Sequence, residues 1–397
     1  MKEKVDLFFE KRKGHLLLFC WLICFSAATF FYRGVLLPLV SNFPNDFRGC
    51  FYPSVKLAFS HESLYNSPNY LYPPFFLALI APFAFMNIGL AERIWFFFLL
   101  ILLGGSLYLL MASFSRKTPL FWALAFFIFS HFEPLYVELS YLQADLVVLF
   151  TIVVAYRLEQ KGLPFWAGVS LAVGSLIKIS PIFFVLYFIV SKKWKATAGF
   201  VGGLLFFSAL TLPFVGWQGW SDFFRFGFPN LLENSAGNRL DQSFTNLLLH
   251  LREMAAPSEK IRKSFIWIRV GSLLFAALIL FSLWNSLRKR TGKRSLGLEY
   301  ASVICAMLLC ATTMNETHLV LLLFPFFMLA YFLFYQFEKK AVVIFITGVA
   351  FTLIGLQYGY TTYSFDNFLL GAFLAKTKFF GTCLIYFCCL VLLGTES

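Results

Sequence analysis

The sequence predicts an all-α protein that crosses a membrane many times. Of its 397 residues, 59% are hydrophobic and 20% aromatic, only 13% are charged, and the mean hydropathy is +0.75. A water-soluble protein of this length and composition would expose too much apolar surface. Apolar runs of about 20 residues recur along the chain, and each is long enough for a helix to cross a hydrocarbon core of about 30 Å.

The first apolar run predicts a retained membrane span. It follows the basic segment MKEKVDLFFEKRKG, exceeds the length of a signal-peptide core and lacks a small-residue cleavage site. The net charge of +13 comes largely from short basic clusters between apolar runs, so it indicates membrane topology and not nucleic-acid binding. The eight cysteines lie mostly inside apolar runs, which favours apolar filling over a metal or disulfide site.

The basic clusters agree with one threading, in which all of them face the cytoplasm. This threading places the N-terminus on the cytoplasmic side and predicts about twelve spans. The expected location is the plasma (inner) membrane. The approximate spans are 15–40, 91–113, 119–132, 142–158, 164–178, 180–191, 196–215, 263–286, 297–313, 318–337, 341–357 and 379–394. The stretch 72–88 is not counted, because counting it would move the cluster at 115–117 outside. Its prolines and length predict a helix at the outer surface.

One integral-membrane domain over residues 1–397 follows from this threading. Its long loops, 41–90, 216–262 and 358–378, lie on the non-cytoplasmic side, whereas the cytoplasmic loops are short and basic. Any chemistry is therefore expected on the outer face. The segment FTNLLLHLREM in the second long loop predicts a short helix that rests on the membrane or on the bundle.

Polar side chains concentrate at the outer ends of the predicted spans. Ionisable groups near lipid are costly and are usually paired or functional, so this clustering predicts a single outward-facing site. The residues are Asp46, Arg48, Glu133, Glu138, Gln143, Asp145, Lys178, Arg239, Asp241, Gln242, Glu316 and His318.

Three of these residues have competing structural interpretations. Asp46 is a functional carboxylate, the N-cap of a surface helix, or one half of an exposed pair with Arg48. Lys178 either binds a phosphate or pairs with a buried carboxylate such as Asp145. His318 either takes part in chemistry or caps its span at the interface. The residues alone leave these alternatives open.

Six motifs carry a resemblance to a known family. In chain order they are NDFRGCFY, YLYPPFFLALIAPFAF, YLQADLVVLF, AGVSLAVGSLIKISPIFFVLYFIVSKKW, NRLDQSFTNLLLHL and THLVLLLFP. Over about residues 15 to 340 the chain resembles the polyprenol-phosphate-mannose-dependent mannosyltransferases of glycosyltransferase family 87, in the GT-C superfamily. The resemblance implies a GT-C-type bundle and the inverting transfer of a hexose, mannose first of all. The donor would be a polyprenyl-phosphate sugar, and the acceptor a glycan or glycolipid outside the cytoplasm.

The resemblance also implies roles for individual residues. The family's first-loop aspartate, its catalytic base, corresponds to Asp46. The lysine of its K-x-x-P stretch corresponds to Lys178 and its late-span histidine to His318, and with Arg239 these would hold the donor phosphate.

Four further residues would contact the acceptor or sugar, or support the site: Arg48, Gln143, Asp145 and Gln242. Two of these segments depart from the family's pattern. The chain has Leu-Gln-Ala-Asp at 142–145 where Gly-Gln-x-Asn is frequent, and Asp-Gln-Ser at 241–243 where Asn-Gln-Ser is frequent.

The expected partners are the lipid-linked donor, the acceptor and membrane lipids, with no nucleic acid. No nucleotide-sugar site is visible in the sequence, and positive side chains suffice to neutralise a monophosphate, so no cofactor is required. A divalent metal is expected only if Glu133, Asp145 and Asp241 converge. The alternative from another class is a polytopic transporter or lipid flippase, which would place charges near the middle of spans and use broken helices.

Overall fold

The protein is all-α, as the sequence predicts. The computed structural model describes residues 17, 19–41, 43–59, 65, 70–115, 118–233, 241–255, 265–288, 296–335, 341–356 and 368–395, and every regular element within them is a helix. Most of the basic clusters used for the threading lie outside the described residues.

Seventeen helices in the described residues are numbered in chain order. They are α1 Phe19–Val40, α2 Tyr52–Phe59, α3 Pro74–Phe85, α4 Ile88–Ala112, α5 Pro119–Ser130, α6 Glu133–Tyr141, α7 Asp145–Gln160, α8 Pro164–Ile177, α9 Ser180–Val190, α10 Trp194–Leu231, α11 Phe244–Ala255, α12 Phe265–Arg288, α13 Leu296–Leu309, α14 Glu316–Tyr335, α15 Ala341–Gly355, α16 Phe368–Ala375 and α17 Thr377–Thr395.

Six of the described helices are long and apolar enough to cross a membrane, and the number is seven if the bent pair α5 and α6 forms one span. The chain is thus a multi-pass membrane protein. Each of the other predicted spans coincides with a helix of 10–16 residues, such as α8, α13 or α15. Because these helices are shorter than the roughly 20 residues that a bilayer requires, a total of twelve spans stays a prediction.

Two shorter predicted helices are present. The stretch 72–88 contains α3, which is too short to span a bilayer by itself. The segment FTNLLLHLREM forms most of α11, as predicted. The short helix α6 was not predicted, because its sequence EPLYVELSY mixes polar and apolar residues without a long apolar run.

Two helices, α4 and α5, begin with an ordinary side-chain cap. The Asn87 side chain accepts a hydrogen bond from the backbone N–H of Leu90 at 2.9 Å, and this begins α4. Thr118 caps α5 in the same way, and a proline occupies the next position.

Helices α8 and α10 pack with their backbones unusually close. A Cβ atom on Gly168 would collide with the carbonyl of Ala196, and one on Gly199 would collide with the carbonyl of Phe165. Small residues at such contacts let two membrane helices approach closely. This contact holds α8 firmly and so fixes the height of Lys178, which follows its last residue.

Helix α7 separates two buried polar clusters, one at each end. At its C-terminal end, Glu159 pairs with Lys193 and accepts a hydrogen bond from the Tyr300 hydroxyl at 2.8 Å. At its N-terminal end, Asp145 pairs with Lys178. Asp145 and Lys178, two residues of the predicted site, therefore lie at the end of α7 opposite to the Glu159 cluster.

Helix α1 is tied to α6 by an ion pair. The guanidinium of Arg33 donates to both carboxylate oxygens of Glu133, at 2.7 and 2.8 Å, and lies 4.4 Å from the Tyr136 ring centroid. Glu133, one of the predicted site residues, therefore serves this helix contact.

Candidate functional site

Asp46 lies in the first turn after α1, just before a π-helical turn, Phe47–Phe51, that leads into α2. Its side chain does not cap that turn. Asn45 does so instead, because its side-chain oxygen accepts a hydrogen bond from the backbone N–H of Arg48 at 2.9 Å. The N-cap interpretation of Asp46 is thus wrong, and its carboxylate is directed to another partner.

Gln143 is that partner. Its side-chain amide donates a hydrogen bond to Oδ2 of Asp46, and its Oε1 accepts one from the Tyr72 hydroxyl at 2.6 Å. The backbone at Leu142 brings Gln143 into place, since Leu142 has a left-handed conformation (φ 52°) that turns the chain sharply after α6. The indole N–H of Trp95 holds this turn by donating to the Leu142 carbonyl at 2.9 Å.

Lys178 and Asp145 form a buried ion pair, with Nζ 2.6 Å from Oδ2. The two side chains are only 16% and 1% exposed. The pairing that the sequence left open for Lys178 is therefore present. The ammonium group also lies 5.8 Å from the Tyr72 ring centroid, so a single tyrosine contacts both Lys178 and the partner of Asp46.

His318 completes this group of side chains. It lies in the first turn of α14, where its imidazole forms a hydrogen bond with the backbone of Thr313. The imidazole also interacts electrostatically with Lys178 and Asp145. Glu138 stabilises the start of α7, because its buried carboxylate accepts a hydrogen bond from the backbone N–H of Leu146 at 3.0 Å. Gln143 thus hydrogen bonds to Asp46, and the charge of Lys178 acts on both Asp46 and His318, so these four predicted residues lie near one another.

The surroundings alter the acidity of Asp46. Burial raises the pKa of its carboxyl above the ordinary value of 3.8, the charge of Lys178 lowers it, and the charge of Asp145 raises it, with burial the largest effect. Burial also raises the pKa of the Tyr72 hydroxyl, which therefore stays protonated and donates to Gln143. A carboxylate with a raised pKa is a stronger base than an exposed one.

Arg48 does not pair with Asp46, so the exposed-pair interpretation is also wrong. Its guanidinium lies 2.5 Å from Oε2 of Glu92, and the side-chain amide of Asn45 donates to the other oxygen of the same carboxylate. Glu92 therefore holds the chain on both sides of Asp46.

Asp241 and Gln242 belong to a second polar cluster. The Asp241 carboxylate accepts hydrogen bonds from the backbone N–H groups of Ser243 and Met314 at 2.8 and 2.7 Å. The Gln242 side chain donates to the carbonyl of Ala375 at 3.2 Å. Met314 connects the Asp241 cluster to the residues around Asp46, because it precedes the first turn of α14, which carries His318.

A buried lysine, Lys376, links two residues of the Asp241 cluster by hydrogen bonds. Its ammonium donates to the Asp241 carbonyl at 2.5 Å and to the Asn246 side chain at 2.7 Å. Burial lowers the pKa of Lys376 to about 8, although the negative charges of Asp241 and Glu253 oppose this shift. Two residues further on, Lys378 pairs with Glu316 at 2.8 Å.

The remaining predicted site residues are accounted for as follows. Arg239 lies outside the described residues. Glu133, Asp145 and Asp241 each have different partners, and no three potential metal ligands come together among the residues described. The convergence that a metal was expected to require is therefore not found there.

Four residues of these clusters were missed or given another role at the sequence level: Tyr72, Glu92, Lys376 and Lys378. An aromatic residue in the YLYPP segment is expected either to stack on a sugar or to anchor the membrane interface, and neither role predicts the hydrogen bond of Tyr72 to Gln143. The sequence did contain a signal for Lys376 and Lys378, because both are basic residues among apolar ones. They lie at the end of the loop 358–378, which the threading places on the same side as Asp46. Glu92 gave no signal, because an acid near a helix start is common.

These clusters define a class of protein, a multi-pass helical membrane protein with a carboxylate and cations gathered at one end of its bundle. The sequence model of glycosyltransferase family 87 matches residues 70–312. Since this is more than half of the chain, the protein belongs to glycosyltransferase family 87 and is a glycosyltransferase. No curated protein and no solved structure gives a match.

Proposed function

We propose that this glycosyltransferase moves a hexose, with mannose as the first candidate, from a polyprenyl-phosphate donor to a glycan or glycolipid acceptor, with inversion at the anomeric carbon. The observation that carries the proposal is the contact of Asp46 with Gln143 beside the Lys178–Asp145 pair. A base and a cation side by side are the two groups that this reaction needs.

In the proposed reaction, Asp46 is the general base. Its carboxylate takes the proton of the acceptor hydroxyl while the hydroxyl oxygen forms a bond to the anomeric carbon. The bond from that carbon to the phosphate oxygen breaks, and its electron pair stays on the lipid phosphate. Attack opposite to the leaving group inverts the configuration, and the proton is later lost from Asp46 to water.

Lys178 and His318 are the proposed partners of the departing phosphate. Lys178 is a point charge and carries the larger effect, because it can share its three donors between Asp145 and a phosphate oxygen. Arg239 stays a proposed third contact. Gln143 and Tyr72 would hold the Asp46 carboxylate in one orientation before substrate arrives, which favours the reacting geometry.

A lipid-linked donor is favoured over a nucleotide sugar by two considerations. The site lies at the ends of apolar helices, where a polyprenyl chain lies between neighbouring helices while its phosphate reaches the cations. The proposed leaving group is a monophosphate, whose charge one or two cations can neutralise without a metal. The distribution of basic clusters supports a reaction on the non-cytoplasmic face, and the membrane proposed for it is the plasma membrane.

A donor panel tests the proposal. Purified protein in lipid nanodiscs is incubated with acceptor glycolipids extracted from the source membrane and, in parallel, with polyprenyl-phosphate mannose, polyprenyl-phosphate glucose, GDP-mannose or UDP-glucose. Transfer from a polyprenyl-phosphate sugar, with the product anomer opposite to that of the donor, is the expected result. Transfer from the nucleotide sugars alone, or retention of configuration, would overturn the proposal.

A further inference from the structure

A groove of about 360 Å³ lies between the end of α1 and the start of α4. This Arg93 groove is lined by eleven residues, and those used here are Pro38, Leu39, Phe43, Arg48, Glu92 and Arg93. Helices α1 and α4 are both long and apolar enough to span a membrane, so the groove lies at the level where two spans end. This is the level of lipid headgroups.

The groove combines an apolar wall with positive charge. Leu39 and Phe43 are 41% and 48% exposed on its rim, although both are hydrophobic. Arg48 and Arg93 contribute two positive charges and Glu92 one negative charge, which leaves the lining with a net charge of +1. The volume is within the usual range of small-molecule sites, about 300–1,000 Å³.

Arg93 is the cation of the groove for which the described residues supply no partner. Arg48 is held by Glu92 at 2.5 Å, whereas the exposed side chain of Arg93 has no hydrogen-bond or ion-pair partner within the described part of the chain. An arginine guanidinium at a membrane boundary recognises phosphate through its fork of N–H donors.

We propose that the Arg93 groove binds the phosphate of an anionic glycerophospholipid of the surrounding bilayer. The acyl chains would lie along Leu39 and Phe43 between α1 and α4. The phosphate would contact Arg93 and the guanidinium N–H groups of Arg48 that do not face Glu92. The site is distinct from the donor site proposed above. A donor must bring its anomeric carbon to Asp46, and Asp46 does not line the groove.

The bound lipid would also act on the Asp46 loop. Arg48 and Glu92 line the groove and at the same time hold the chain on both sides of Asp46. A lipid phosphate on Arg48 and Arg93 therefore adds contacts to the segment that positions the carboxylate.

Native mass spectrometry of the full-length protein tests this proposal. The protein is released from nanodiscs that contain equal amounts of phosphatidylglycerol and phosphatidylcholine, and the retained lipids are counted. The variants are Arg93→Ala, Arg93→Lys and the matched control Arg225→Ala, which removes another exposed arginine from the end of α10. Thermal unfolding of each variant checks that it is folded.

The expected result is a preference of the wild-type protein for one phosphatidylglycerol. Arg93→Ala should lower that preference about fivefold, the effect of one basic residue near an anionic surface. Arg93→Lys should lower it less, and Arg225→Ala should leave it unchanged. Equal retention by wild type and Arg93→Ala, or an equal loss in Arg225→Ala, would overturn the proposal.

A second measurement locates the lipid and identifies its source. A phosphatidylglycerol with a photoreactive acyl chain should crosslink to peptides from residues 38–48 and 89–96. Crosslinks elsewhere contradict the assignment. Polyprenyl phosphate at equal concentration should not reduce the crosslink, and if it does, the groove belongs to the donor lipid instead.

Discussion

The side-chain amide of Gln143 donates a hydrogen bond to the Asp46 carboxylate, across 97 positions of the sequence. Gln143 is itself fixed by the Tyr72 hydroxyl, which donates to its carbonyl oxygen at 2.6 Å. Among the residues that the structure describes, the hydrogen bond to this carboxylate therefore comes from a neutral donor and not from a cation. A neutral donor orients a base without neutralising it, whereas a directly paired arginine would weaken its basicity.

Replacing Gln143 with alanine should lower kcat by about tenfold or more. A hydrogen bond to a charged group contributes about 1.5–3 kcal/mol, and about 1.4 kcal/mol corresponds to a factor of ten in rate. Transfer kinetics from polyprenyl-phosphate mannose measure the effect. Gln160→Ala, at the opposite end of α7, is the matched control and should retain wild-type kinetics. Equal losses in both variants would show that the effect is structural.

The rate of transfer should fall as the pH is lowered, with a midpoint above 3.8. Asp46 acts as a base only when ionised, and burial raises its pKa above that ordinary value, so protonation removes the activity at a higher pH than for an exposed aspartate. Gln143→Ala should move the midpoint higher still, because it removes a donor that stabilises the ionised form. The measurement is the dependence of kcat/KM on pH for both proteins. If the midpoint is the same in wild type and Gln143→Ala, the loss of activity at low pH is not caused by protonation of Asp46.

Removing Lys178 should cost both stability and activity, and a double variant separates the two effects. Lys178→Met leaves Asp145 buried and unpaired, and breaking a buried pair in this way costs about 3–5 kcal/mol. The double variant Lys178→Met with Asp145→Leu should recover most of the thermal stability without recovering transfer, since the cation for the phosphate is still absent. Recovery of transfer in the double variant would mean that Lys178 only pairs with Asp145.

Lys376 should make the stability depend on alkaline pH. Its pKa is lowered to about 8 in the folded protein from an ordinary value of 10.5, so between these values the unfolded chain binds more protons. The free energy of unfolding should therefore rise as the pH increases from 8 towards 10.5. Thermal unfolding of wild type and Lys376→Met at pH 7.5 and 9.5 isolates this contribution, because the variant should lack it. An identical pH response in the two proteins would contradict it.

The sequence predicted the helices better than the contacts. Long apolar runs and a few caps determine where helices such as α4 begin and end, and most of the predicted spans coincide with a helix. The total of twelve spans did not follow as securely, because helices of 10–16 residues fall between the length of a span and that of a buried helix.

The candidate site was predicted in part. Clustering of polar residues at helix ends indicated Asp46, Gln143, Lys178 and His318; Gln143 hydrogen bonds to Asp46, and the charge of Lys178 acts on both Asp46 and His318. The turn of Arg48 towards Glu92 was not predictable, because it depends on how the loop after α1 packs against the start of α4. The role of Lys376 was missed for a similar reason, since only the fold brings the loop before α17 onto residues 241–246.

The most direct test of the account is the transfer rate of Asp46→Asn with polyprenyl-phosphate mannose, measured together with its thermal stability. The asparagine has the same shape and still accepts the hydrogen bond from Gln143, but it cannot take a proton. Because burial raises the pKa of Asp46, its ionised form destabilises the fold at neutral pH, so the variant should be at least as stable as wild type at pH 8. We expect a folded protein whose transfer rate falls at least about a hundredfold, the lower limit for loss of a general base. A folded Asp46→Asn protein with a rate close to wild type would contradict the account.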